Sequence, residues 1–265
     1  MKSSNLKKAK KAKNDEFYTL LNDIEKELQH YDFKDKVVYC NCDNETSNFV
    51  KYFKDNKESL GYKDFHCSGL PQSFDSQESI ELLKKCDVVV TNPPFSLFRE
   101  FVKLLTEHNK DFILVGNMNA ISYKDCFSLI KADKMWLGVN SVNSFLQPDG
   151  SIKKFGNICW FTNIKHNKSN DFLVLTKTYN KEYYPNYDNC NAINVDKVVD
   201  IPCDFYGAMG VPVSFLTKYN KQQFELLDFK NYKFDGVYLD ASGAIRPLIN
   251  GKQKYTRMLI KRRLS

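Results

Sequence analysis

The run Asp87-Val88-Val89-Val90-Thr91 constrains this chain more than any other stretch. An unbroken β-branched run is typical of a strand buried on both faces, as in a parallel sheet covered by helices. The run stops at Asn92-Pro93-Pro94-Phe95, because proline fixes φ and has no N–H for a ladder. Past this corner Leu97, Phe98, Phe101, Val102 and Leu105 fall on one helical face, and Ser96 is placed to cap that helix.

The same grammar extends both ways along the chain. Residues 15–30 have helical spacing, Val37–Cys40 is a short apolar strand, and Asn41–Asn44 is a polar turn. Helical spacing returns through Phe49, Val50 and Phe53, and Asp64–Cys67 reads as a second strand. Ser79–Lys85 is a short helix before the valine run, and Phe112–Val115 is another buried strand after it. Strand and helix alternating through short connections predict a doubly wound α/β domain. Further strands are expected at Met135–Val139, Ile158–Thr162 and Phe172–Thr176, the last two as a terminal antiparallel hairpin. Beyond Tyr179 the chain becomes rich in Tyr, Asn, Asp and Lys, with strands expected near Lys197–Ile201 and Tyr255–Ile260. The expected organisation is a basic arm over residues 1–13, a catalytic domain over 14–178 and a smaller module over 179–265.

A length of 265 residues and 42% apolar content allow a full core. No stretch approaches the roughly 18 apolar residues of a membrane span, and no apolar segment follows the N-terminal lysines as in a secretory signal. A cytoplasmic protein is expected. Its eight cysteines lack framework spacing and are read as reduced thiols, with no metal site. The net charge of +7 is concentrated at the ends. Lys2, Lys7, Lys8, Lys10, Lys11 and Lys13 crowd one terminus, and Arg257, Lys261, Arg262 and Arg263 the other. A polyanionic partner fits this distribution, and so do solvated tails.

The proline corner carries chemistry of its own. An exocyclic adenine nitrogen is a poor nucleophile, since its lone pair is delocalised into the ring. The Asn92 side-chain oxygen and the Pro93 carbonyl can accept its two N–H bonds and turn the lone pair toward an incoming methyl group. Pro93 and Pro94 stiffen the turn, and Phe95 offers a surface on which a base stacks. A duplex base must be flipped out to reach such a corner.

These residues resemble the amino-methyltransferases with an Asn-Pro-Pro-aromatic signature, and more specifically the EcoRI-type adenine-specific DNA methyltransferase family. The likeness rests on Asn14-Asp15-Glu16-Phe17-Tyr18-Thr19, Tyr39-Cys40-Asn41-Cys42-Asp43-Asn44 and Thr91 through Glu100, and on Gly116 through Ile121, Lys154 through Ile158 and Tyr206 through Pro212. It implies a Rossmann-like S-adenosylmethionine-dependent fold and methyl transfer to adenine N6 in DNA, in the setting of restriction–modification, where a cognate endonuclease acts separately. It also implies a donor pocket lined by Phe17, Tyr18, Thr19, Tyr39, Cys40 and Asp43, with Asp43 as partner of the donor's ammonium. In many relatives the first turn is glycine-rich, whereas here it holds no glycine. The acid expected at the end of the second strand, where it would hold the donor's ribose, is missing too, and Asp75 is the nearest candidate for a contact to the donor adenine. DNA contacts are expected from Lys7, Lys8, Lys10, Lys11, Arg246, Lys252, Lys254, Arg257, Lys261, Arg262 and Arg263. Three other readings compete: an RNA adenine methyltransferase, a protein glutamine methyltransferase, and a catalytically silent DNA-binding module.

Overall fold

The structure, a computed structural model, describes residues 18–68, 73–147, 150–166, 171–227 and 247–264. Contacts divide it into one unit of residues 1–120 and 132–167 and a second of residues 121–131 and 168–265. The first unit begins with β1 (Tyr18–Thr19), α1 (Leu21–Leu28), β2 (Val37–Cys40), α2 (Asn48–Asp55) and the short α3 (Lys57–Leu60). It continues through β3 (Asp64–Cys67), α4 (Gln77–Lys85), β4 (Val88–Thr91), α5 (Phe98–Glu107) and β5 (Asp111–Asn117). After α6 (Lys124–Lys131), which belongs to the second unit, the long strands β6 (Trp136–Leu146) and β7 (Ile152–Thr162) complete the first.

Seven strands make one sheet in the order β1-β6-β7-β5-β4-β2-β3. β3, β2, β4 and β5 are parallel; β7 is antiparallel to β5 and β6, and β1 to β6. The expected α/β architecture is therefore present, and the valine run is one of its inner strands, between β5 and β2. Every residue of β4 is buried, because helices cover both faces of the sheet. Val88 and Val90 join Ile24, Phe49, Phe53 and Trp160 in one cluster. On the opposite face Phe98 of α5 packs against Phe161 with ring centroids 5.1 Å apart. Each such fully buried side chain stabilises the fold by about 1.5–3 kcal/mol. A buried carboxylate pins α1 to β6: Glu27 accepts from Tyr31 Oη at 2.7 Å, Val139 N at 2.8 Å and Asn140 N at 2.7 Å.

Several local expectations are corrected. Tyr18 and Thr19 are not helical but pair with Leu146 and Phe145, because the edge of β6 supplies backbone partners there. Ser96 does not cap α5. Residues Phe95–Leu97 form a 3-10 turn and Leu97 holds the cap position, its N–H bonded to Pro94 O at 2.9 Å. The hairpin joins β6 to β7, and residues 172–176 form no strand. There the Gln223 side chain takes the place of a strand partner, accepting from Leu173 N and donating to Leu173 O, both at 2.7 Å. The expected strand at Lys197–Ile201 is a 3-10 turn at Val198–Asp200.

The second unit carries β8 (Asn186–Tyr187), β9 (Cys190–Asn194), β10 (Met209–Pro212), β11 (Phe224–Leu226), β12 (Leu248–Ile249), β13 (Lys252–Gln253) and β14 (Arg257–Arg262). Five strands form a sheet in the order β11-β14-β10-β9-β8, and β12 pairs with β13. Phe215, Phe224, Met258 and Ile260 are buried. The eight cysteines are thiols, with no disulfide between them. No helix among the described residues is long and apolar enough to cross a membrane.

Candidate active site

The chain moves outward from β2 to β3, while β4 and β5 lie on the other side of β2. The strand order thus reverses between β2 and β4. Open α/β sheets bind ligands beyond the carboxyl ends of the strands at such a switch point. Two loops flank this crevice, residues 41–47 after β2 and residues 92–95 after β4.

A chain of hydroxyls ties the first loop down. Thr91, the last residue of β4, donates through Oγ1 to Asp43 Oδ2 at 2.5 Å and accepts from Cys42 N at 3.1 Å. Asp43 Oδ1 accepts from Ser47 Oγ at 2.6 Å, and Ser47 also caps α2 by accepting from Phe49 N at 3.0 Å. Ser68, just past β3, donates its N–H to Asp43 O at 3.2 Å and its hydroxyl to Asn41 O. Side-chain hydroxyls here hold the loop as close backbone packing does in a glycine-rich turn. Burial pushes the Asp43 carboxyl up to about 6, although the Ser47 and Thr91 hydroxyls oppose that shift. Burial also pushes the Cys40 and Cys42 thiols up, so neither is a thiolate nucleophile at neutral pH.

Two buried side chains, one in this loop and one beside it, have polar atoms with no hydrogen-bond partner among the described residues. Asn41 is 1% exposed, and neither its Nδ2 nor its Oδ1 has a hydrogen-bond partner among the described residues. Thr19 is 3% exposed with its Oγ1 in the same condition. Asn48 Nδ2 donates to Thr19 O at 2.8 Å, which fixes Thr19 next to the start of α2. A buried unsatisfied group costs about 1–3 kcal/mol. A bound ligand with both donors and acceptors would offset that cost at Asn41.

Across the crevice, Asn92 is partly buried and its Oδ1 is shielded from solvent. Pro93 is buried behind it. Phe95 meets Phe145 edge-on at 6.2 Å, and Phe145 meets Phe155 at 5.6 Å. Gly116 of β5 lets α5 come close: a Cβ there would lie 2.4 Å from the Phe98 ring. The position of Phe98 in turn sets where the 92–95 turn can run.

The structure distributes the other expected site residues unevenly. Phe17, Lys7, Lys8, Lys10, Lys11 and Arg246 lie outside the described residues. Tyr18 is exposed. Tyr39 and Cys40 are fully buried; Cys40 lies in the core cluster and Tyr39 Oη bonds to Ser68 at 3.2 Å, so their main chain is what borders the crevice. Asp75 is exposed ahead of α4 and accepts from Ser73 Oγ. Arg257 is only 9% exposed and turned inward, with Nη2 bonded to Asp196 at 3.0 Å. Lys261 and Arg263 are exposed. Arg262 lies over the Tyr206 ring at 4.8 Å and donates to Cys203 O. Sequence reading missed Asn41, Ser47, Ser68 and Thr91. Asn41, Ser68 and Thr91 are polar residues at or just past strand ends, the first and last within segments that carry the resemblance, and Ser47 is a serine directly ahead of a helix.

A sheet of this order, with Asn-Pro-Pro-Phe at the carboxyl end of its inner strand β4, defines an α/β amino-methyltransferase. Comparison with known proteins narrows the class. The family described as adenine-specific methyltransferase EcoRI matches residues 5–73 and 64–263, and the chain belongs to that family. It is 42% identical to type II methyltransferase M.EcoRI of Escherichia coli, over 97% of this chain and 95% of that protein. It is 39% identical to type II methyltransferase M.MpnI of Mycoplasma pneumoniae, over 97% of each. A third relative, M.MgeORF184P of Mycoplasma genitalium, is 38% identical over 96% of this chain and 98% of its own. The first of these alignments runs over 321 positions, more than the 265 residues of this chain, so that relative has segments with no counterpart here. No solved structure matches significantly.

Proposed function

We propose that this protein transfers the methyl group of S-adenosylmethionine to N6 of an adenine flipped out of DNA at a specific sequence. The observation that carries the reading is the strap from Thr91 to Asp43. It joins the loop suited to the donor to the strand end that presents Asn92. Asn41 fits the donor's amino-acid group because its amide holds both a donor and an acceptor without a partner among the described residues. Asp43 supplies the carboxylate for the donor's ammonium. S-adenosylmethionine supplies an electrophilic methyl group on a sulfonium.

The chain's own residues do the rest. Asn92 Oδ1 and the Pro93 carbonyl accept the two N–H bonds of the adenine amine, and Phe95, braced by Phe145, stacks on the base. Most of the acceleration comes from holding the amine in line with the methyl group. Residues 14–178 act as the catalytic part, residues 179–265 as target recognition and the lysines of residues 1–13 as a phosphate-binding arm. Lys261 and Arg263, and Arg246 and the lysines outside the described residues, are assigned to DNA. Arg257 is not, because its guanidinium is committed to Asp196. The protein acts in the cytoplasm, and a separate endonuclease cutting the same unmethylated site is its partner in function.

Incubation with methyl-labelled S-adenosylmethionine and, in turn, duplex DNA, RNA and protein tests the reading. Label in DNA, mapped by sequencing to adenines in one motif, is the expected result. Label only in RNA or in protein glutamine, or none with any acceptor, would overturn it.

A further inference from the structure

The second unit has a cleft of about 260 Å³ on its five-stranded sheet, lined by Asn186, Asn191, Phe205 and Lys261 over a floor that includes Ala192 and Ala208. No catalytic step described above uses it. Small side chains in the middle of the floor leave the opening. Ala192 stands on β9 and Ala208 directly precedes the neighbouring β10, with Ala208 O accepting from Ile193 N at 3.0 Å.

The walls of this cleft are uncommitted. Among the described residues, the side chains of Asn186, Asn191 and Lys261 have no hydrogen-bond or ion-pair partner, and all three are exposed. Glu225 stands opposite Lys261 across the β11–β14 ladder, yet no ion pair joins them. Phe205 is held rigidly. Its ring lies 4.7 Å from Tyr179 at 34°, and Tyr179 stacks on Tyr184 at 5.9 Å and 25°. The ring also lies so close over Gly207 that a Cβ there would fall 2.6 Å from it. A fixed aromatic edge, two free amides and one free ammonium are what a nucleotide needs: a stacking or packing surface, donor–acceptor pairs for a base edge, and a cation for a phosphate. The volume lies just below the ~300–1,000 Å³ of pockets that hold drug-sized ligands, so the cleft suits a single base with its phosphate.

We infer that this cleft binds one nucleotide of the DNA flanking the target adenine, with Asn186 and Asn191 reading the base edge and Lys261 holding the phosphate. The inference rests on the DNA reading given above and gives it a specificity-determining site. The three side chains lie outside the core, so their replacement should leave the fold intact.

Two measurements on the full-length protein test the cleft. In selection of bound duplexes from a randomised pool, Asn186→Ala/Asn191→Ala should lose preference at one base position by about 5- to 100-fold while keeping the preference elsewhere. In fluorescence anisotropy, Lys261→Ala should weaken binding to all duplexes alike and lower the salt slope by about one. Donor affinity, read by calorimetry, should be unchanged in each variant. Unchanged base preference in the double variant, or loss of donor affinity along with it, would overturn the cleft. Failure of the catalytic reading looks different: wild-type protein would select a DNA sequence through this cleft and yet methylate no adenine in it.

Discussion

Thr91 and Asp43 stand 48 residues apart in sequence and 2.5 Å apart in space, hydroxyl to carboxylate. Thr91 is the residue directly before Asn92, so this bond couples the position of the loop after β2 to that of the turn after β4. The same hydroxyl accepts from Cys42 N, and a single side chain therefore sets both ends of the crevice.

Thr91→Val keeps the shape of the side chain and removes the hydroxyl. It should destabilise the fold by about 1–3 kcal/mol, since Asp43 and Cys42 N are left without that partner. Donor affinity should fall by roughly tenfold, and Thr91→Ser should recover most of both losses. Urea melts and donor calorimetry check this. Wild-type donor affinity in the valine variant would show that the strap does not serve the donor site.

Asp43 gives the site a pH dependence. Its pKa is raised from 3.8 to about 6 by burial, so the folded state holds the proton more tightly than the unfolded chain. The sign for stability follows from linkage: this group's contribution is greatest at low pH and is lost as pH rises through the window from 3.8 to about 6. Donor binding runs the other way, since the ammonium needs the ionised carboxylate. Affinity for S-adenosylmethionine should rise from about pH 5 and level off above about 6. Asp43→Asn should bind weakly with no such rise, and an identical pH profile in that variant would remove Asp43 from the ammonium site.

Asn92→Ala should abolish turnover, as the adenine amine loses one of its two acceptors, while circular dichroism and donor affinity stay as in the wild type. Phe95→Ala should lower turnover far more than donor affinity. Because Phe95 also packs on Phe145, it should cost about 1–2 kcal/mol of stability as well. Normal kcat in either variant is the result that contradicts the assignment.

Gly116→Ala is a remote test of the same turn. A methyl group 2.4 Å from the Phe98 ring cannot be accommodated in place, so α5 must shift and carry the proline corner with it. The expected loss is about 1–3 kcal/mol in stability with a drop in kcat larger than any change in donor affinity. Unchanged kcat would mean that the corner is positioned independently of α5.

Deleting residues 2–13 removes Lys2, Lys7, Lys8, Lys10, Lys11 and Lys13. The salt slope of DNA binding should flatten by about 0.9 for each phosphate that the arm neutralises in the full chain. A slope equal to that of the full chain would leave the arm without a role in binding.

Much of this molecule is legible along one dimension. Val88–Val90 reads as a strand covered on both faces, and two prolines end it, because hydrophobic patterning and proline geometry are properties of neighbouring residues. The resemblance of the Asn-Pro-Pro-Phe corner to amino-methyltransferases comes from the same local stretch. What no local window contains is the partner across space. Only the folded sheet places Thr91 on Asp43, leaves the Asn41 amide buried beside that loop, turns Arg257 inward to Asp196, lets Gln223 replace a strand beside Leu173 and gathers Asn186, Asn191 and Lys261 around one cleft. These arrangements depend on strand order and on which backbone groups remain unpaired after the sheet has formed, and both are decided by the whole chain packing at once.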